Sequence, residues 1–167
     1  MRTLGLRTLT FSVLIVLVFS CGGDDEKPNF KFIDQDAQGE IAGESWAYTD
    51  GFADIIDYGG GDVQVSVNLA LPQTEQGCDI FFVTGDKVFF SLPNKVGLYK
   101  LKLDLTGNGD GNYFVTLFNN DTFESFFAAT GAIEIKSLSD TEVSGRLDAR
   151  FDSDTYVNGN FTVAICP

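Results

Sequence analysis

The chain has 167 residues, enough for one domain, with 24 acidic and 11 basic residues and a net charge of −13. That balance excludes nucleic acid, whose phosphates are neutralised by Lys and Arg, and it argues against electrostatic attraction to anionic headgroups. The absence of histidine removes the commonest general base and the commonest transition-metal ligand.

The N-terminus reads as a secretory leader. Arg2 and Arg7 give a positive start, and Leu9 to Phe19 form an apolar run broken only by Thr10 and Ser12. The run is too short to be a good spanning helix, and a charged segment follows it. The leader ends Leu17-Val18-Phe19-Ser20-Cys21-Gly22. This resembles the lipobox of bacterial lipoproteins, with Val18 where Leu is commonest. The resemblance implies cleavage after residue 20 and diacylglycerol on the Cys21 thiol. It also implies acylation of the new amine with a fatty acid such as palmitate. Two or three acyl chains anchor stably where one is marginal.

Residues 21–29 contain Gly22, Gly23, Asp24, Asp25, Glu26, Lys27 and Pro28, a flexible, solvated tether. Asp24, Asp25 and Glu26 directly after the Cys resemble the acidic export segment of Bacteroidetes surface lipoproteins. That resemblance implies the outer membrane, facing the cell surface; a plain acidic spacer would leave the protein facing the periplasm.

From Phe30 onward the pattern is all-β. Val63, Val65, Val67, Leu69 and Leu71 alternate with polar or small residues, as do Tyr99 to Leu105, Ile133 with Ile135, Val143 to Phe151, and Phe161 to Ile165. Period two marks strands with one wet face. Phe123 to Ala129 reads as a further strand. Turn clusters such as Gly59-Gly60-Gly61, Gly107 to Gly111 and Asn119-Asn120-Asp121 recur between them. The expectation is a single domain over residues 30–167: an antiparallel sandwich or barrel of about eight to ten strands with hairpin or meander connections. Paired rings, Phe81-Phe82, Phe89-Phe90 and Phe126-Phe127, place one ring on each sheet face.

The run Val143-x-Gly145-x-Leu147-x-Ala149 recurs after 14 residues as Val157-x-Gly159-x-Phe161-x-Val163, which suits neighbouring strands of one hairpin. The glycines share the apolar face, where they let a strand bend or a ring pack over the backbone. Together with Gly131-x-Ile133-x-Ile135 and with Gly39 to Trp46, this pattern is similar to small Bacteroidetes lipoproteins of unassigned function. The likeness implies fold and address rather than chemistry. With Cys21 lipidated, Cys78 and Cys166 remain as an even pair in an oxidising compartment and are expected to form a disulfide.

Catalytic patterns are missing from the sequence: no nucleophile–base pairing with His, no Ser-x-x-Lys and no phosphate-binding Gly-Lys-Ser/Thr. The expectation is a protein that is not an enzyme and takes no cofactor. Asp104, Asn108 and Asp110 partly fit a calcium loop, but Val115 stands where a bidentate Glu is required, so a plain hairpin turn is the better reading. Trp46 and Tyr48 sit two apart on one strand face, either as core residues or as an aromatic platform for a sugar. The functional expectation is a non-catalytic binding module, held to the membrane by its lipid and meeting a glycan or an envelope protein. The alternatives are a lipocalin-like carrier of an apolar ligand and an inhibitor of an envelope enzyme.

Overall fold

The computed structural model describes residues 29–80, 82–104 and 111–167. Among these residues eleven strands follow one another: β1 Gln38–Ile41, β2 Glu44–Ala47, β3 Asp50–Asp57, β4 Val63–Ala70, β5 Lys87–Pro93 and β6 Gly97–Lys100. The rest are β7 Val115–Asn119, β8 Glu124–Ala128, β9 Thr130–Leu138, β10 Glu142–Arg150 and β11 Tyr156–Cys166. The fold is all-β, as the period-two patterning requires. The count exceeds the expected range because Gln38–Ile41 and Glu44–Ala47 are four-residue strands, too short to show alternation.

The strands form one strongly curled sheet, a half-barrel, in the order β6-β9-β10-β11-β3-β4-β5-β7-β8, with β1 and β2 branching from β11. The expectation of a purely antiparallel sheet is corrected at one joint. β11 meets β3 in parallel through three pairs: Ala164 with Phe52, Ile165 with Ala53 and Cys166 with Asp54. On either side of that seam every ladder is antiparallel. β11 can serve both neighbours because it is eleven residues long: its start pairs β1 through Tyr156–Asn158 and its end pairs β3.

The inner face is continuous side-chain packing. Val65, Val67 and Leu69 of β4, Val88, Phe90 and Leu92 of β5, Ile133 and Ile135 of β9, and Val143 and Leu147 of β10 are all buried in one cluster. Phe90 and Phe161 meet edge to face across the interior, with ring centroids 5.6 Å apart. β5 and β11 therefore look at each other through the core, and their outer faces point in opposite directions.

The 14-residue echo is the β10–β11 hairpin, with Gly145 opposite Phe161 and Leu147 opposite Gly159. Gly145 sits beside a register shift in the β9–β10 ladder. A Cβ there would lie 2.3 Å from the Glu134 carbonyl oxygen and 2.9 Å from the tip of the Phe161 ring. Glycine is thus required by close approach.

The expected strand through Leu105 ends at Lys100. Beyond it, the Leu101 and Lys102 amides bond the carbonyls of Gly131 (3.0 Å) and Tyr113 (2.7 Å). Leu101 is still buried there, whereas Leu103 is exposed, so the alternation read from the sequence stops with the ladder.

Candidate binding site

Two of the three Phe-Phe pairs divide between the faces as their spacing requires; the third does not lie on a sheet, since Phe82 is exposed outside any strand and Phe81 lies outside the described residues. Phe90 is buried, whereas Phe89 is half-buried on the outside; Phe126 is half-buried and Phe127 is exposed. In register, Phe89 stands opposite Thr116, which stands opposite Phe127, and one row along Lys87 stands opposite Phe118. Outward-facing rings therefore collect on β5, β7 and β8. Phe114 packs edge to face on Phe127 at 5.5 Å, and Phe118 meets Phe123 at 6.4 Å under the Lys87 ammonium. Phe123 is 79% exposed and holds a left-handed backbone (φ 58°) in the β7–β8 turn. The turn is fixed by the Asn119 side chain, which accepts from the Thr122 amide at 2.9 Å, and by Asp86, which accepts from the Asn120 amide at 2.7 Å. An exposed aromatic group of this extent is more informative than scattered surface apolar residues.

At the inner end of this strip lies an open groove of about 280 Å³, walled by Phe89 and Phe114 and lined with Gln64, Ser91, Asn112 and Thr116. Among the described residues, no charged one lines it. Its size is just below the roughly 300 Å³ at which small-molecule sites begin. Amide and hydroxyl groups supply donors and acceptors without charge, and the rings supply an electron-rich face.

The positions singled out in the sequence fall elsewhere. Trp46 is 2% exposed, and its Nε1–H donates to the Asp86 carbonyl at 3.1 Å. The aromatic platform at Trp46 and Tyr48 is corrected accordingly: the indole is core, with no face turned to solvent. Tyr48 packs half-buried against the same core, and its hydroxyl donates to the Thr162 carbonyl. Burial pushes its pKa above 10.0, with the Asp50 and Asp36 charges adding in the same direction and the Thr162 bond opposing.

Asp104 lies beyond β6, not in a strand. Its amide donates to Asn112 Oδ1 at 2.8 Å, and Asn112 Nδ2 donates back to its carbonyl at 2.7 Å, while its carboxylate lies 3.4 Å from Lys102 Nζ. Asn108 and Asp110 lie outside the described residues, as do Phe81, Cys21, Asp24, Asp25 and Glu26. Among the described residues no three Cys, Asp or Glu gather as a metal site.

Cys78 and Cys166 form a disulfide, with Cα atoms 5.3 Å apart. Cys78 belongs to the 3-10 turn Gly77–Asp79, whose Gly77 amide donates to Asp50 Oδ1 at 3.1 Å. The bond therefore ties the last residue of β11 to a loop lying on β3, at the parallel seam.

Sequence reasoning missed a second feature, the docking of residues 29–37 on the sheet. Asn158, which is buried, accepts from the Ile33 amide at 2.9 Å and donates to the Lys31 carbonyl at 2.9 Å, in the manner of a strand partner. Asp148, also buried, accepts from the Lys31 amide at 2.8 Å. Arg150 Nε lies 3.1 Å from Asp148 Oδ1, a charge contact without hydrogen-bond alignment, while Arg150 Nη2 donates to the Asn29 carbonyl. The Gln35 carbonyl then accepts from the Asn160 amide at 2.7 Å. Asp148 and Asn158 fall in the alternating polar rows of that hairpin, so nothing in the sequence set them apart as buried partners of a docked segment.

No known family, curated protein or solved structure matches the chain. Among the described residues no helix is long and apolar enough to cross a membrane.

Proposed function

We propose that this chain is a membrane-anchored, surface-exposed lipoprotein whose β domain is a non-catalytic binding module for neutral, hydroxyl-rich ligands such as glycans. The observation that carries this reading is the groove between Phe89 and Phe114, whose described lining is polar and aromatic without charge, in a chain of net charge −13. Anionic ligands are repelled by the surrounding field, whereas a sugar offers C–H faces to the rings and hydroxyls to Gln64, Ser91, Asn112 and Thr116. The interior supports the same preference over a carrier, because Phe90, Phe161 and their neighbours occupy it.

A glycan array probed with the mature chain tests the reading. Phe114→Ala is expected to weaken the best ligand by up to about tenfold, the equivalent of roughly 1.4 kcal/mol for a lost aromatic contact. Binding that is absent from the array, or indifferent to Phe114→Ala and Gln64→Ala, rejects the groove. The anchor is tested separately: Cys21→Ala is expected to leave the membrane fraction, and replacing Asp24, Asp25 and Glu26 by Ala is expected to protect the protein from protease added to whole cells.

A second reading is favoured by the position of β8. It ends the sheet order, beside the Phe127–Phe114 pair. An edge strand next to apolar side chains accepts an added strand from a partner protein. Capture of an extended envelope-protein segment that Phe127→Asp abolishes, while glycans fail to bind, selects this reading.

A further inference from the structure

The groove exists because a ladder opens. β5 and β7 pair from Lys87 with Phe118 to Phe89 with Thr116, and the ladder stops there. The Asn94 amide bonds the Val63 carbonyl of β4 at 2.9 Å, which turns the even-numbered residues of β5 toward β4, and Phe89 and Ser91 toward β7. In the segment leading into β7, the Tyr113 carbonyl accepts from the Lys102 amide at 2.7 Å, so Tyr113 faces away from β5 and Phe114 faces it. Ser91 and Phe114 are therefore the next pair in phase, yet no main-chain bond joins them. Among the described residues, their N–H and C=O groups have no partner. Phe90, whose ring lies in the core against Phe161, stands at the foot of the groove, which thus reaches down to the main chain of β5.

The parted strands leave one donor and one acceptor on each wall, aimed across the gap. A trans secondary amide carries its N–H and C=O in opposite directions. Set in the gap, such a group donates to the carbonyl of one wall and accepts from the N–H of the other, in place of the missing pair. A whole peptide strand fits less well, because strand addition uses alternate residues along an edge and Ser91 is isolated. Phe89 is already paired, and Pro93 has no N–H, while its carbonyl accepts from the Lys95 amide at 2.6 Å. The rings of Phe89 and Phe114 flank the same gap and offer apolar faces to C–H groups.

We propose that the groove recognises the acetamido group of an N-acetylhexosamine, held between the main-chain groups of Ser91 and Phe114. The proposal rests on the glycan reading of the groove and narrows it to amino sugars in their acetylated, uncharged form.

Calorimetry and amide NMR of the mature chain with Cys21→Ala test it, with triacetylchitotriose, cellotriose and the deacetylated glucosamine trimer as probes. Triacetylchitotriose is expected to bind about tenfold tighter than cellotriose, which has hydroxyls in place of acetamido groups, the difference made by one or two net hydrogen bonds. The Ser91 or the Phe114 amide signal is expected to shift and to gain exchange protection on binding. Equal affinity for these two trimers overturns the acetamido assignment and leaves the glycan reading intact; binding of neither overturns both. Tighter binding of the cationic glucosamine trimer shows attraction by net charge and overturns the assignment. Tighter binding of an alanine tripeptide blocked at both ends makes the gap a peptide site and overturns it as well. Ser91→Pro removes an N–H that no described group of the protein uses and projects a ring into the gap. It is expected to melt close to the wild type and to bind triacetylchitotriose about tenfold more weakly or worse. A variant that unfolds shows that the Ser91 N–H is paired within the protein, and one that binds unchanged shows that the sugar sits elsewhere; either overturns the proposal.

Discussion

Breaking the Cys78–Cys166 bond is the perturbation with the largest calculable effect. The two cysteines are 88 residues apart. Closing a loop of that length removes chain entropy from the unfolded state worth about 4–5 kcal/mol at 25 °C. For a domain of this size that corresponds to a fall in Tm of roughly 10–20 °C. Cys78 is exposed, so reductant reaches the bond without prior unfolding. The loss has a place as well as a size. The seam between β11 and β3 has only three residue pairs, and the bond anchors the last of them, Cys166, to the loop over β3. Calorimetry of the wild type with and without reductant, and of Cys78→Ala, checks the magnitude. Amide exchange checks the place: protection at residues 52–54 and 164–166 is expected to fall before that of the β10–β11 ladder. Coincident melting curves in all three samples would refute the entropic argument, and uniform loss of protection would refute its assignment to the seam.

Three further outcomes follow from particular contacts. Asn158→Ala removes the amide that holds residues 31 and 33, and is expected to cost about 1–3 kcal/mol and to expose the Ile33 amide to exchange; unchanged protection at Ile33 contradicts the docking. Gly145→Ala forces a Cβ against the Glu134 carbonyl and the Phe161 ring, with an expected loss of about 1–3 kcal/mol that Phe161→Leu relieves only in part; denaturant midpoints within error of the wild type contradict the close approach. Tyr48 has its folded pKa raised above the unfolded 10.0, chiefly by burial, so it favours the folded state fully below pH 10 and that contribution is lost as pH rises through the folded pKa. Stability is expected to decline above pH 10 and to decline less in Tyr48→Phe; identical alkaline profiles reject the assignment.

How much of this was legible in the sequence depended on whether the controlling interaction was local. β4 and β10 could be read because each buries alternate residues on one face, and period two records that directly. The β10–β11 hairpin was readable too, since its partners are close in sequence and repeat the same Gly-containing pattern. The parallel seam was not, because it joins Phe52–Asp54 to residues more than a hundred positions away, and no turn signal marks such a pairing. Alternation shows that Trp46 and Tyr48 lie on one face but not which way the face points, and the indole proved to be core. The groove was hidden for a related reason. Phe89 and Phe114 lie on strands β5 and on the approach to β7, and only the curl of the sheet and the intervening β5–β7 ladder make them opposite walls. The calcium-loop reading of Asp104 came from a local pattern that a hairpin turn also satisfies.

The seam divides the sheet into two antiparallel arrays with different tasks. β6, β9, β10 and β11 carry the docked N-terminal segment, while β3, β4, β5, β7 and β8 carry the groove and the aromatic strip. A three-pair ladder is a weak joint for two such arrays, since each ladder hydrogen bond adds only about 1 kcal/mol net. Other contacts bridge the same arrays, among them the Phe90–Phe161 packing through the core, the Phe126–Phe151 ring contact and the disulfide at the outer end. The aromatic contacts resist separation of the faces, and the disulfide resists sliding of β11 along β3. Any displacement of the first array reaches the groove through these contacts. It follows that the bond matters to more than stability: once it is reduced, the array that carries the groove is less firmly referenced to the array that carries the docked segment.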